Sequence, residues 1–273
     1  MEDASGRCRF VRPPGLKDKR RKRMRAILTY HSLDESASPI SLSPMAFRQH
    51  VEWLASGQVR VVGVQELLAL DHHVDAVALT FDDGFANFAV EAWPLLRERG
   101  LPATVFVVAD HVGGDNRWRG RSEAGIPVLP LLDWDALERL RAEGVTIGAH
   151  TRTHPFLPAL DAGTLDEEMS LAAAEIGRRL GERPIGLAYP YGGVNDTVAR
   201  EAARHYRWAC TTEFRSLRAH ESSQLLPRLD MWYFREPQRL SRWGTPDLQA
   251  WIWYCRQGRR TRSAIRSMGT SGR

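Results

Sequence analysis

Short β-branched or apolar runs recur along the chain at 26–30 (AILTY), 77–81 (VALTF), 103–108 (ATVFVV), 145–149 (VTIGA), 185–189 (IGLAY), 207–211 (RWACT) and 225–229 (LLPRL), with a weaker one at 59–62. Each reads as a strand. The stretches between them, 44–56, 86–99, 133–143, 164–181 and 195–205, place apolar residues at helical spacing. The clearest is GTLDEEMSLAAAEIGRRLG, with acids early, arginines late and a glycine after the last turn, as the helix dipole favours. Strand–helix alternation sustained this long predicts an α/β fold with a parallel sheet, either open and doubly wound or closed into a barrel. Seven or eight strands over about 230 residues suit a TIM-like barrel. No GxGxxG follows the first strand, which counts against a dinucleotide fold. In parallel α/β folds the chemistry sits at the carboxyl ends of the strands.

Composition narrows this picture only slightly. The 273 residues are 43% hydrophobic, an ordinary globular value. No uninterrupted apolar run approaches the ~20 residues of a spanning helix. The net charge of +5 becomes informative once located. Residues 1–25 carry ten Lys/Arg against three acids, and 256–273 carry six Arg and no acid, which leaves −8 on residues 26–255. The expected organisation is therefore a basic, disordered extension (1–25), an acidic folded domain (26–255) and a basic tail (256–273). An acidic body argues against a nucleic-acid-binding domain, whose basic residues belong on folded elements. KDKRRKRMRAILTYH offers only AILTY as an apolar region, too short for a secretory signal, and Met24 is a candidate initiator. Cys8, Cys210 and Cys255 lack any framework or CxxC spacing, so the cytoplasm is the expected compartment.

The polar residues at the strand ends change the picture more. Asp82 and Asp83 close the run 77–81, His150 and His154 follow 145–149 in HTRTHP, and His31 ends LTYH. Two adjacent carboxylates repel, and one normally titrates high unless a cation lies between them. Histidines four apart can face one ion from a helix or a tight loop. Two His and one Asp give three protein ligands with positions left for water, the catalytic arrangement for Zn2+, with Co2+, Ni2+ and Fe2+ in the same class. One aspartate then binds the metal while its neighbour accepts a proton from the water that the metal activates. The turn at Gly84 is expected to bring both into the site.

TFDDG, HTRTHP and YPYGG resemble the three leading motifs of the polysaccharide deacetylase family, over roughly residues 26–232. The resemblance implies a distorted (β/α) barrel, a divalent metal, generally zinc, and hydrolysis of N-acetyl groups on an amino sugar. It implies Asp82 as general base, Asp83, His150 and His154 as metal ligands, and the Tyr191 backbone N–H as a donor to the oxyanion. Many members carry an arginine where this chain has Ala188; Arg228, in LPRLD, is the candidate to orient Asp82 instead. The late acid histidine of many members is absent, and LTYH is similar to the start of the exopolysaccharide-processing branch, so His31 is the expected general acid, with His220 in reserve. His50, His72, His73, His111 and His205 have no supporting pattern. Trp118, Trp134, Trp208 and Trp232 could stack on sugar faces, although at least half should be packing residues, and DMW at 230–232 is similar to a groove-lining motif.

A glycosidase also needs two carboxylates, but ones about 5–9.5 Å apart across a sugar bond, which adjacent aspartates fit poorly. A catalytically inactive carbohydrate-binding or scaffolding protein on the same fold is the alternative function, and it would be expected to have lost a ligand or Asp82. The expected partners are an N-acetylated glycan or a lipid- or nucleotide-linked sugar, with no nucleic acid and no transmembrane segment.

Overall fold

The computed structural model describes residues 21–270. Seven parallel strands form the sheet: β1 (Arg25–Tyr30), β2 (Ala76–Phe81), β3 (Ala103–Val107), β4 (Thr146–Ala149), β5 (Gly186–Ala188), β6 (Trp208–Cys210) and β7 (Arg228–Asp230). Their spatial order is β7-β1-β2-β3-β4-β5-β6, and an eighth, two-residue strand at Arg60–Val61 pairs with β2. β6 and β7 share no ladder; the chain just before β7 makes one isolated bridge to β6, Leu226 to Cys210, so the barrel is nearly closed. The seam has a covalent cause. Pro227 has no N–H to give to a ladder, and the strand expected at 225–229 therefore starts at Arg228 instead.

Alternation along the strands divides the apolar residues between two cores. Ile27, Ala78, Phe106, Ala188, Trp208 and Cys210 form one cluster inside the barrel. Leu28, Leu79, Val105, Ile147 and Leu187, one residue out of phase, pack with the surrounding helices. The interior is tight enough to demand glycine at two strand positions. A Cβ on Gly186 would stand 2.2 Å from the Trp208 ring, and one on Gly148 would stand 2.5 Å from Phe106.

The helices are α1 (Pro44–Ala55), α2 (Val64–Ala69), α3 (Trp93–Glu98), α4 (Trp134–Ala142), α5 (Ala162–Leu180), α6 (Asp196–His205) and α7 (Pro246–Thr270). The helix expected at 86–99 is broken into a π-turn, Phe88–Ala92, followed by α3. Pro94 lacks the N–H that a regular turn would use there. α5 starts two residues earlier than expected because Asp161 caps it, accepting from the N–H groups of Gly163 and Thr164.

Two expected boundaries move. Residues 1–20 of the basic extension lie outside the described residues, but 21–25 belong to the body. The Met24 N–H donates to Asp75 at 2.8 Å, Arg23 pairs with the same carboxylate at 2.9 Å, and the buried Arg25 donates to the carbonyls of Leu67, Leu70 and Arg218. At the other end, the boundary expected at 255 falls inside α7, whose first half buries Leu248 and Ile252.

Candidate metal centre

Asp82 and Asp83 follow β2 directly. Asp82 continues the ladder, its N–H donating to the Tyr30 carbonyl at 2.9 Å. Asp83 then takes a left-handed backbone, φ 69°, and Gly84 follows at φ 73°. The sequence assigned the turn to the glycine, but the aspartate itself carries half of it. Adjacent side chains on a strand point to opposite faces, and this double reversal is what brings both carboxylates into one cleft.

His150 follows β4, with its N–H on the Val107 carbonyl at 2.8 Å. His154 comes from the loop beyond, and Thr151 and His154 are both left-handed, φ 66° and 63°. Of the two ways that histidines four apart can converge, the tight loop is the one used. Glu168 of α5 fixes this loop. Its buried carboxylate accepts from the N–H groups of Arg152 (3.0 Å) and Thr153 (2.9 Å) and from the Thr153 hydroxyl (2.6 Å). The sequence did not single out Glu168. Its one signal is an acid on the inward face of an amphipathic helix.

The three expected ligands converge. The Nε2 atoms of His150 and His154 lie 3.3 and 3.4 Å from Asp83 Oδ1. The Ala188 carbonyl can only accept, so its 2.7 Å contact puts the proton of His150 on Nδ1 and leaves the Nε2 lone pair open toward Asp83 and His154. Asp83 Oδ1 is buried without a hydrogen-bond partner, an arrangement that is costly unless a cation completes it. The donor set, one carboxylate and two imidazoles, suits a divalent transition metal.

Asp82 stands beside this cluster under different control. Arg228 holds it with two parallel hydrogen bonds of 2.7 Å each, Nη1 to Oδ1 and Nη2 to Oδ2, and both side chains are buried. Arg228 is itself anchored by Nε on the Thr211 carbonyl at 3.0 Å. The arginine reaches Asp82 from β7, replacing the one absent at Ala188. Burial would push the Asp82 carboxyl up, but the Arg228 guanidinium, with His150 and His31, holds it below the usual carboxylate range. Burial likewise opposes ionisation of Asp83, and His150 and His154 overcome it. His154 is pushed down to about 3 by burial and by the neighbouring His150.

His31 Nε2 lies 3.8 Å from Asp82 Oδ2 on the more open side of the cleft. Tyr191 is left-handed, φ 58°, with its ring 4.7 Å from His154 and its hydroxyl on Glu123 at 2.8 Å. Among the described residues, three of the five non-glycine residues with positive φ, Asp83, His154 and Tyr191, therefore line this one cleft. His220 is exposed on a loop and is not among the cleft residues. Of the four tryptophans, Trp118 is buried and stacks on His154 at 4.5 Å, and Trp208 lies within the barrel. Trp134 and Trp232 are half-buried under Arg179 and Arg235. His50 is a packing residue, fully buried between the Tyr30 hydroxyl and the Phe234 carbonyl.

The family model described as polysaccharide deacetylase matches residues 70–207. Among curated proteins, YxkH of Bacillus subtilis is 24% identical over 193 residues, 68% of this chain and 64% of that protein's length, so the chain spans somewhat under two thirds of this relative. A poly-beta-1,6-N-acetyl-D-glucosamine N-deacetylase of Staphylococcus epidermidis is 22% identical over 203 residues, covering 69% of this chain and 67% of that one. Among solved structures, Streptococcus pyogenes deacetylase PplD in complex with acetate superposes with TM-score 0.69 at 22% identity, covering 82% of this chain and 99% of that chain. IcaB from Ammonifex degensii superposes with TM-score 0.64 at 23% identity, covering 81% and 97%. At these identities the structural likeness establishes the barrel.

Proposed function

Because the chain belongs to the polysaccharide deacetylase family, we propose that it is a metal-dependent hydrolase that removes N-acetyl groups from an amino-sugar glycan or glycoconjugate. The observation that carries this reading is a buried Asp83–His150–His154 cluster beside an aspartate clamped by an arginine. N-Acetylglucosamine is the proposed sugar, since the Staphylococcus epidermidis relative is named for that substrate.

Asp83, His150 and His154 would hold the ion, zinc first by donor type, with Co2+, Ni2+ and Fe2+ in the same class. Such an ion, when bound, polarises the acetyl carbonyl and lowers the pKa of adjacent water. The protein's own groups supply the rest. Asp82, ionised because Arg228 keeps it so, accepts the proton as the water oxygen attacks the acetyl carbon. The Tyr191 N–H donates to the developing oxyanion, a contribution commonly worth ~3 kcal/mol per donor. His31 protonates the leaving nitrogen as the C–N bond breaks, giving acetate and a free amine. The inner cleft measures about 130 Å3, room for an acetamido group, and the exposed Tyr191 stands among its lining residues.

The test is acetate release from a panel of N-acetylglucosamine monomers, oligomers and lipid- or nucleotide-linked donors, with and without a chelator. Release that stops on chelation and returns with metal supports the reading. Binding of the same oligomers without any release would instead assign the chain to the inactive carbohydrate-binding class.

A further inference from the structure

The two imidazoles of the metal cluster are held by different means. His150 gives its Nδ1 proton to the Ala188 carbonyl at 2.7 Å, which fixes the ring from its second nitrogen. His154 has no such anchor, since its Nδ1 is buried without a hydrogen-bond partner among the described residues. Its ring stacks on Trp118 at 4.5 Å and meets Tyr191 edge-on at 4.7 Å. These contacts fix the plane of the ring. Where Nε2 points within that plane is left to the backbone that carries it.

That backbone needs support. Thr151 and His154 both take left-handed φ, 66° and 63°, within a few residues of each other. Such conformations persist at non-glycine residues only where the surroundings hold them. On one side, the carbonyls of Thr151 and Arg152 accept from the N–H groups of Ala109 and Asp110, at 3.1 and 3.0 Å. On the other side stands Glu168 of α5. The Arg152 N–H is shared between its carboxylate, at 3.0 Å, and the Glu168 backbone carbonyl, at 3.1 Å, and the second contact survives any substitution. What the side chain alone supplies is the hold on Thr153, through its N–H at 2.9 Å and its hydroxyl at 2.6 Å. Thr153 directly precedes His154, so this hold sets the peptide from which the ring projects.

We propose that Glu168 is a positioning residue for the metal centre: by fixing the Thr153–His154 peptide it aims His154 Nε2 toward Asp83 and His150, and so sets how tightly the cluster holds its ion. The inference rests on the metal-dependent reading above. The task it gives the carboxylate is geometric, and geometry survives a neutral replacement. A glutamine can accept from the Arg152 and Thr153 N–H groups on its oxygen and donate its amide to the Thr153 hydroxyl oxygen, which keeps the contacts without the charge. Alanine keeps none of the side-chain contacts.

The experiment measures zinc affinity by competition with a chromophoric chelator, on the full chain and its variants, with the visible spectrum of the cobalt-loaded forms as a readout of ligand geometry. Glu168→Ala should bind zinc about 10–100-fold more weakly and alter the cobalt spectrum. Glu168→Gln should stay within about threefold of the wild type. Tyr206→Phe is the control, because the buried Tyr206 hydroxyl donates to the Met169 carbonyl of the same helix at 2.8 Å. It should lower the melting temperature and leave zinc affinity in place. Should Glu168→Ala fail to fold, Thr153→Val, which removes only the 2.6 Å bond, carries the test with a several-fold loss expected. Wild-type affinity in Glu168→Ala, or in Thr153→Val where that must stand in, overturns the proposal. So does a Glu168→Gln as weak as Glu168→Ala, or an equal loss in Tyr206→Phe. Those results leave the metal-dependent reading standing, whereas a wild type that takes up no zinc or cobalt would remove that reading and this inference with it.

Discussion

Arg228→Met is the most instructive perturbation. It keeps the length of the side chain inside the barrel and removes both 2.7 Å bonds to Asp82, whose carboxylate is 2% exposed. Breaking a buried ion pair from one side costs about 3–5 kcal/mol, because the remaining charge is left in the interior with no counter-charge of equal quality. Asp82→Leu should cost a similar amount by orphaning the guanidinium. The double variant removes both charges, so its loss should fall short of the sum of the two by at least about 1 kcal/mol. Urea unfolding of chelated protein at neutral pH reads these differences as shifts in midpoint at constant slope. Catalysis supplies a second readout. Without the guanidinium the Asp82 carboxyl titrates higher, so the acid limb of kcat/KM should move upward in pH. If Arg228→Met costs less than about 1 kcal/mol and the acid limb stays in place, Arg228 is a bystander and the assignment of Asp82 loses its physical basis.

His150→Ala or His154→Ala should lose bound metal, which elemental analysis of the purified variants would read; full occupancy in both would remove the ligand assignment. His31→Ala should lower kcat about 10²–10⁴-fold on an amide with metal content and folding unchanged, and by less on an ester, whose leaving group needs less help. Equal loss on both substrates would place the acid elsewhere. Gly186→Ala should destabilise strongly, since its Cβ would meet Trp208 at 2.2 Å; an unchanged melting temperature would show that the interior can give way. His50, pushed down to about 4 by burial, binds a proton less readily than in the unfolded chain, where its value is about 6.5. Its contribution of about 3 kcal/mol is therefore full above pH ~6.5 and lost as pH falls toward 4. The pH slope of stability over that window should flatten in His50→Gln, and an unaltered slope would contradict the assignment.

The barrel strands were legible because parallel strands covered on both sides read as short apolar runs bounded by polar clusters. The site was legible for a related reason. Most of its titratable residues stand at strand ends, so Asp82, Asp83, His150 and His31 directly follow such runs, and His154 sits in the short loop just beyond one. What escaped depends on contacts distant in sequence. Glu168 looks like any helix acid until its carboxylate meets the Arg152 and Thr153 N–H groups. The left-handed backbones at Asp83, Thr151 and His154 occur at residue types that give no glycine signal. The π-turn before Pro94 and the late start of β7 after Pro227 both follow from a missing N–H, whose effect depends on register. The continuity of α7 escaped because the arginine-rich sequence from 256 onward reads as a tail, while Leu248 and Ile252 anchor the helix's first half.

The central claim divides two neighbouring carboxylates into ligand and base, and metal stoichiometry tests that division directly. The measurement is metal per chain by native mass spectrometry for the wild type, Asp82→Asn and Asp83→Asn. The account predicts close to one divalent ion in the wild type and in Asp82→Asn, with acetate release abolished in the latter, and a clear loss of metal in Asp83→Asn. Metal retained in Asp83→Asn but lost in Asp82→Asn would contradict it and reverse the two roles.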